Sequence, residues 1–259
     1  MITTTIASKH APDFLKLLSH DLRWQLLLAL AESDRRVQEL VELVRRPQNL
    51  VSYHLSKLRG SQLVHERRSS ADGRDVYYSL DLDALQRHYL MSGAAIHPVL
   101  NPANKPAARE AGESQTTSPI RVLFLCTHNS ARSQLVEGIL RAQGGGKVEA
   151  FSAGSEPGRV HPLAIRAAAA LGIDISRQQS KHLDIFAGQD FDFIITVCDK
   201  VRESCPVFPG DPRQIHWSFP DPASVKGTED EQFQAFLQTA RELTTRINFL
   251  LLMIDREQS

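Results

Sequence analysis

Apolar residues recur every three or four positions through the first part of the chain, a spacing that predicts helices. One covers residues 22–30, with Asp21 placed to cap it. A second covers 37–44, with Leu40, Val41 and Val44 on one face. A third covers 49–59, with Leu50, Val51, Leu55 and Leu58 in register. The period then shortens to two. Residues 63–66 and 76–80 read as strands joined by a turn at 69–73, and a helix over 83–91 follows. Beyond residue 119 the two periods alternate. Strands are predicted at 121–125, 148–152, 191–197 and 215–219, and helices at 133–142, 163–171 and 231–253. The 191–197 run is nearly all apolar, as in a strand buried on both faces. This order implies an α/β domain with a parallel sheet.

Between these regions the pattern lapses. Pro98, Pro102, Pro106 and Pro119 stand among small and polar residues, which reads as an extended linker. The expected organisation is therefore a mainly α-helical domain over 1–92, a linker over 93–119 and the α/β domain over 120–259. A chain of 259 residues is long enough to give each domain a core.

Thirty basic residues balance thirty acidic ones, so bulk charge selects no partner. Residues 1–16 lack the apolar stretch of a secretory leader. The apolar run at 249–254 is far too short to span a bilayer. A cytoplasmic protein with no membrane association is the expectation. The three cysteines, Cys126, Cys198 and Cys205, all lie in the second domain. An odd number in such a chain argues against a disulfide framework and for catalysis, metal binding or redox work.

The segment Arg121-Val-Leu-Phe-Leu-Cys126-Thr-His-Asn-Ser-Ala-Arg132-Ser133 carries the most chemistry. A buried strand ends at a cysteine, an arginine follows five residues later, and a helix begins at once. Such a loop gathers backbone N–H groups from Thr127, His128, Asn129, Ser130, Ala131, Arg132 and Ser133 around one concavity, which suits a tetrahedral oxyanion. Arg132 can hold two of its oxygens. The helix end and Arg132 are expected to lower the Cys126 pKa. The bland alternative is a structural cysteine at a strand end. Cys198 closes the 191–197 strand, so in a parallel sheet it shares an edge with Cys126.

The first domain, with three helices, a two-stranded wing and a closing helix, describes a winged helix-turn-helix. The third helix offers Gln48, Asn49, Ser52, Tyr53, His54 and Lys57 to double-stranded DNA, and the wing offers Arg67, Arg68 and Arg74 to the phosphate backbone. Residues 1–100 hold 13 Lys and Arg against 11 Asp and Glu, so the domain is not strongly basic. A winged helix used for protein contact alone is the bland alternative. His88 and His97 stand singly, and no metal site is expected.

Two family resemblances follow from these motifs. Val-Leu-Phe-Leu-Cys-Thr-His-Asn-Ser-Ala-Arg-Ser-Gln and Phe151-Ser-Ala-Gly154 resemble the low-molecular-weight tyrosine phosphatases and the arsenate reductases related to them. Ala131 stands where the phosphatases usually carry a second cysteine, which leans toward the reductases. Cys198 and Cys205 resemble the pair through which such reductases pass oxidation to thioredoxin. Asp221-Pro-Ala is similar to the family's loop with a general acid. The resemblance implies arsenate as substrate, Cys126 as nucleophile, Arg132 as oxyanion ligand, a thiol relay through Cys198 and Cys205, and Asp221 as acid. No bound cofactor is implied, only thioredoxin or a similar dithiol as reductant. A potassium ion near the loop is also common in that group. Asn129, Glu137 and Ser152 match three of its ligands, and Lys181 at the fourth implies an ammonium in the ion's place. The alternatives are a tyrosine phosphatase, or an oxyanion-sensing regulator without turnover.

Val51-Ser-Tyr-His-Leu-Ser-Lys-Leu, followed by Leu63-Val64 and Gly73-Arg74, resembles the arsenic-responsive repressors, which are dimeric winged-helix regulators. A homodimer formed through this domain is implied. Many such repressors bind arsenite through cysteines, and this domain has none.

Overall fold

A computed structural model describes residues 10–96, 119–203 and 208–257. Cys205, His97 and most of the expected linker lie outside the described residues. The chain divides into two compact units, Met1–Glu66 with Tyr78–Glu113, and Arg67–Tyr77 with Ser114–Ser259.

The first unit is a mainly α-helical winged helix-turn-helix. Its helices are α1 (Asp13–Leu18), α2 (Asp21–Glu32), α3 (Val37–Val44), α4 (Gln48–Gly60) and α5 (Leu82–Ile96). The strands β1 (Arg35–Arg36), β2 (Val64–Arg68) and β3 (Val76–Leu80) form a sheet in the order β1-β3-β2. Leu26, Leu30, Leu40, Leu55, Leu58 and Leu63 fill the core. All but Leu63, which follows α4, come from the apolar faces of α2, α3 and α4, so the helices form where their burial stabilises them. Three details differ from the sequence reading. His20, not Asp21, caps α2, its ring accepting from Leu22 N at 3.2 Å. The short helix α1 follows Pro12. Helix α5 continues over Gly93-Ala-Ala-Ile96, which composition assigned to the linker, because alanine favours helix without any apolar stripe.

The turn half of the β2–β3 hairpin, Arg67–Tyr77, belongs to the second unit. Its tip is tied by Ser69, whose N–H donates to Asp75 O at 2.8 Å and whose Oγ accepts from Ala71 N at 3.0 Å.

The rest of the second unit is a parallel α/β fold. Strands β4 (Ile120–Cys126), β5 (Val148–Gly154), β6 (Phe193–Thr196) and β7 (Arg213–His216) lie in the order β5-β4-β6-β7. Central β4 pairs Cys126 with Gly154 on one side and Leu125 with Thr196 on the other. The long helix α9 (Glu229–Glu257) packs on α6 (Arg132–Gln143) and α7 (Pro162–Ala170) through Phe236, Ala240, Leu243 and Ile247. Helix α8 (Asp199–Glu203) leaves the end of β6 almost at once. Parallel strands bring their C-terminal ends to one edge, so Cys126, Gly154, Cys198 and the segment after β7 converge there.

Candidate active site

The loop from Cys126 to Arg132 turns around the Cys126 sulfur. Asn129 N–H donates to Sγ at 3.0 Å, and Ser133 Oγ lies 2.7 Å from it. Asn129 makes this possible with a left-handed backbone, φ 45°, a conformation asparagine tolerates better than most residues. Gly154 flanks the loop because nothing larger fits. A Cβ there would lie 2.5 Å from Thr127 O and 2.9 Å from Asn129 N. Thr127, Asn129, Ala131, Arg132 and Ser133 are buried, whereas His128 is exposed and Ser130 partly so. His128 Nδ1 lies 3.2 Å from Glu156 O, so its side chain is engaged outside the loop.

Cys126 is 3% exposed. Burial pushes its thiol up from the ordinary range and nearby Cys198 adds to this. Ser133, Arg132 and the Asn129 N–H pull it down without offsetting the rise. The expected low pKa is therefore corrected. The loop donors are present, but desolvation and the neighbouring Cys198 outweigh them.

Beneath the loop lies a closed polar network. Asn129 Nδ2 donates to Ser133 Oγ at 2.9 Å and to Ser152 Oγ at 2.8 Å. Ser152 Oγ donates to buried Glu137, which Arg141 reaches at 2.5 Å and Lys181 at 3.2 Å. Lys181 N–H donates to Asn129 Oδ1 at 2.8 Å. Gln134 and Ser180, which sequence reasoning did not single out, donate to Asn129 O at 3.1 and 2.6 Å. The network fixes Asn129, and through it the loop.

Arg132 is placed from the other side. Its Nη1 donates to Phe219 O at 2.8 Å, and Nη2 stands 3.4 Å from Asp221 Oδ2. A guanidinium has five N–H donors, so these ties leave others for an oxyanion. Asp221 caps the short 3-10 turn Pro222–Ser224, accepting from Ala223 N at 3.2 Å, and its side chain remains partly exposed. An acid beside the arginine, at the mouth of the loop, can give a proton to a departing oxygen.

Cys198 is 2% exposed, with Sγ 3.4 Å from Thr127 Oγ1. The second thiol therefore touches the first thiol's loop. Asp199, the next residue, was absent from the sequence reading. Its carboxylate is fully buried and accepts from Arg67 Nη2 at 2.6 Å, Ser70 N at 2.8 Å and Ser218 Oγ at 2.8 Å. An aspartate opening a helix after a cysteine was the only signal that could have marked it.

The DNA-facing residues divide. Gln48, Asn49, Ser52, Tyr53 and Lys57 are exposed along α4. His54 is 4% exposed and its ring lies tilted against that of His20, with centroids 4.3 Å apart. It belongs to the core side of the helix, not the readable face. Burial, then His20 and Arg23, lower its pKa, so the ring is held neutral. Arg68 and Arg74 are exposed, with Arg74 paired to Asp72 at 2.7 Å. Arg67 is committed to Asp199. His88, which stands singly in the sequence, stacks on Phe14 with centroids 5.3 Å apart.

Comparison with known proteins bears on both regions. The family model for low molecular weight phosphotyrosine protein phosphatase matches residues 121–259, and that for bacterial regulatory protein, arsR family, matches 20–66. An arsenate reductase of Halalkalibacterium halodurans is 38% identical over 126 residues, 49% of this chain and 91% of that protein. One of Bacillus subtilis is 36% identical over the same length and shares of both chains. A solved arsenate reductase in its phosphate-binding state aligns with 52% of this chain and 98% of its own, at 31% identity and TM-score 0.43.

Proposed function

Because the chain belongs, through residues 121–259, to the low molecular weight phosphotyrosine protein phosphatase family, we propose that its 120–259 domain reduces arsenate to arsenite. The similar arsenate reductases support this. The observation that carries it is the second buried thiol, Cys198, against the loop of the first. Hydrolysis of a phosphate ester through a thiol intermediate needs no such partner.

The reaction begins with Cys126. Its sulfur attacks arsenic in the loop, an As–O bond breaks, and the thiol's proton with one from Asp221 leaves in water. The Cys198 thiolate then attacks the Cys126 sulfur. An S–S bond forms, the S–As bond breaks, and its electron pair stays on arsenic, which goes from As(V) to As(III) and departs as arsenite. Cys205 attacks Cys198, frees the Cys126 thiolate and leaves a Cys198–Cys205 disulfide for thioredoxin or a similar dithiol to reduce.

The winged helix is proposed to bind double-stranded DNA as a homodimer, with 1–92 as the regulator domain and 93–119 joining it to the enzyme. The similarity over 20–66 and the exposed polar face of α4 support this.

The thiol variants test the enzyme reading. Cys126→Ser is expected to abolish arsenite release. Cys198→Ser and Cys205→Ser are expected to stop repeated turnover while sparing phosphate-ester hydrolysis. Sustained wild-type turnover in Cys205→Ser contradicts the relay.

A further inference from the structure

Asp199 directly follows Cys198 and opens α8. That helix has five residues, too few to hold its place by its own hydrogen bonds. Val201 packs it on the core, and the buried Asp199 carboxylate ties down its first residue. Oδ1 accepts from Arg67 Nη2 at 2.8 Å, Ser218 Oγ at 2.8 Å and His216 Nε2 at 3.2 Å. Oδ2 accepts from Arg67 Nη2 at 2.6 Å, Ser70 N at 2.8 Å and Ser70 Oγ at 3.1 Å. His216 is fixed in turn by Thr196 Oγ1, 2.8 Å from Nδ1, and by the Tyr77 ring, whose centroid is 4.8 Å away. Burial alone would raise the Asp199 carboxyl. Hydrogen bonds from His216, Arg67 and Ser70 instead hold it well below the ordinary carboxylate range, so it is an anion.

We propose that Arg67 and Ser70, on the turn of the β2–β3 hairpin, are positioning residues for the Cys198 thiol, which they hold through the Asp199 carboxylate. Both lie outside the family-matched segment 121–259, so the hairpin turn completes a site that the enzyme domain alone leaves unfinished. Arg67 supplies a full positive charge to this carboxylate, with Nη2 2.6 Å from Oδ2. Without it a buried anion loses its ion-pair partner and keeps only its other hydrogen bonds. The carboxylate must then reach water or take a proton, and either displaces the first turn of α8 and the sulfur one residue before it. The purpose of this placement rests on the relay proposed above; the placement itself does not.

The test uses the reduced full-length chain. Alkylation by iodoacetamide is timed separately at Cys126 and Cys198 by peptide mass spectrometry, in wild type, Arg67→Ala and Arg67→Lys. Arg67→Ala is expected to speed Cys198 alkylation by about tenfold or more, as local opening becomes easier, while Cys126 changes by less than about twofold. Lysine keeps the charge without the fork, so Arg67→Lys is expected to fall between. An unchanged Cys198 rate in Arg67→Ala overturns the proposal. So does an equal rise at both thiols with no rescue by lysine, which is general loosening. Arsenite release is measured alongside: a wild type that releases none sinks the relay, yet the alkylation ratio still decides the positioning.

Discussion

The burial that shields the site from water also disfavours a Cys126 thiolate and pushes its pKa up. The pH dependence follows. Its folded-state pKa is raised, so Cys126 alkylation in the oxyanion-free protein should climb throughout about pH 7 to about pH 9. A plateau below about pH 7 would mean the loop donors win. The stabilising effect of the raised pKa has the matching sign: it is complete below the unfolded thiol's pKa and is lost as pH rises through the folded one. Lys181 gives a second expectation. Its ammonium, 3.2 Å from Glu137 Oε2, supplies a positive charge under the loop. Arsenate reduction should therefore proceed at the same rate in potassium and sodium at equal ionic strength, and strong potassium activation would contradict this. Cys126, Arg132 and Asp221 were legible as candidates in the sequence because motif and spacing single them out. The direction of the Cys126 shift was not, because it depends on how far three-dimensional packing excludes water. His54 was misplaced for a related reason: within α4 its neighbours Val51, Leu55 and Leu58 make the core stripe, and it lies on that stripe.

Several elements with a clear apolar period stand where the sequence predicts them. Helix α3 and strand β3 fall on the predicted residues, and α9 extends only a few beyond them. Helix α8 and helix α1 went unseen, since five or six residues show no period. The strand predicted to run to Val197 ends at Thr196, and the one predicted at 215–219 is found at Arg213–His216, because sheet pairing with β4 and β6 sets the ends. A close fit against backbone occurs where β5 meets the loop. Gly154→Ala should cost about 1–3 kcal/mol, since backbone atoms of Thr127 and Asn129, not flexible side-chain ends, block the new methyl. It should also remove activity at temperatures where the protein remains folded. Thermal melting beside arsenite release checks both; a variant with wild-type melting and turnover contradicts the packing.

At the scale of the whole molecule, zero net charge leaves DNA binding to local cations. Lys57 on α4 and Arg68 on the hairpin are exposed. Lys57→Ala should weaken DNA binding about equally across sequences and reduce the slope of log affinity against log salt by about one. Loss confined to one sequence would make Lys57 a base reader instead. A change of hydrophobic period was legible in the sequence, and most of the proline-rich segment lies outside the described residues. That Arg67–Tyr77 belongs with the enzyme was not legible, because Asp199 lies far away in sequence and only folding brings it to Arg67. The central claim is that the second thiol makes this an arsenate reductase and not a phosphatase. The most direct measurement gives the full-length protein arsenate with thioredoxin, thioredoxin reductase and NADPH, and follows arsenite release beside hydrolysis of p-nitrophenyl phosphate. The account predicts sustained, NADPH-dependent arsenite release with only weak ester hydrolysis. Efficient ester hydrolysis with no arsenite would contradict it.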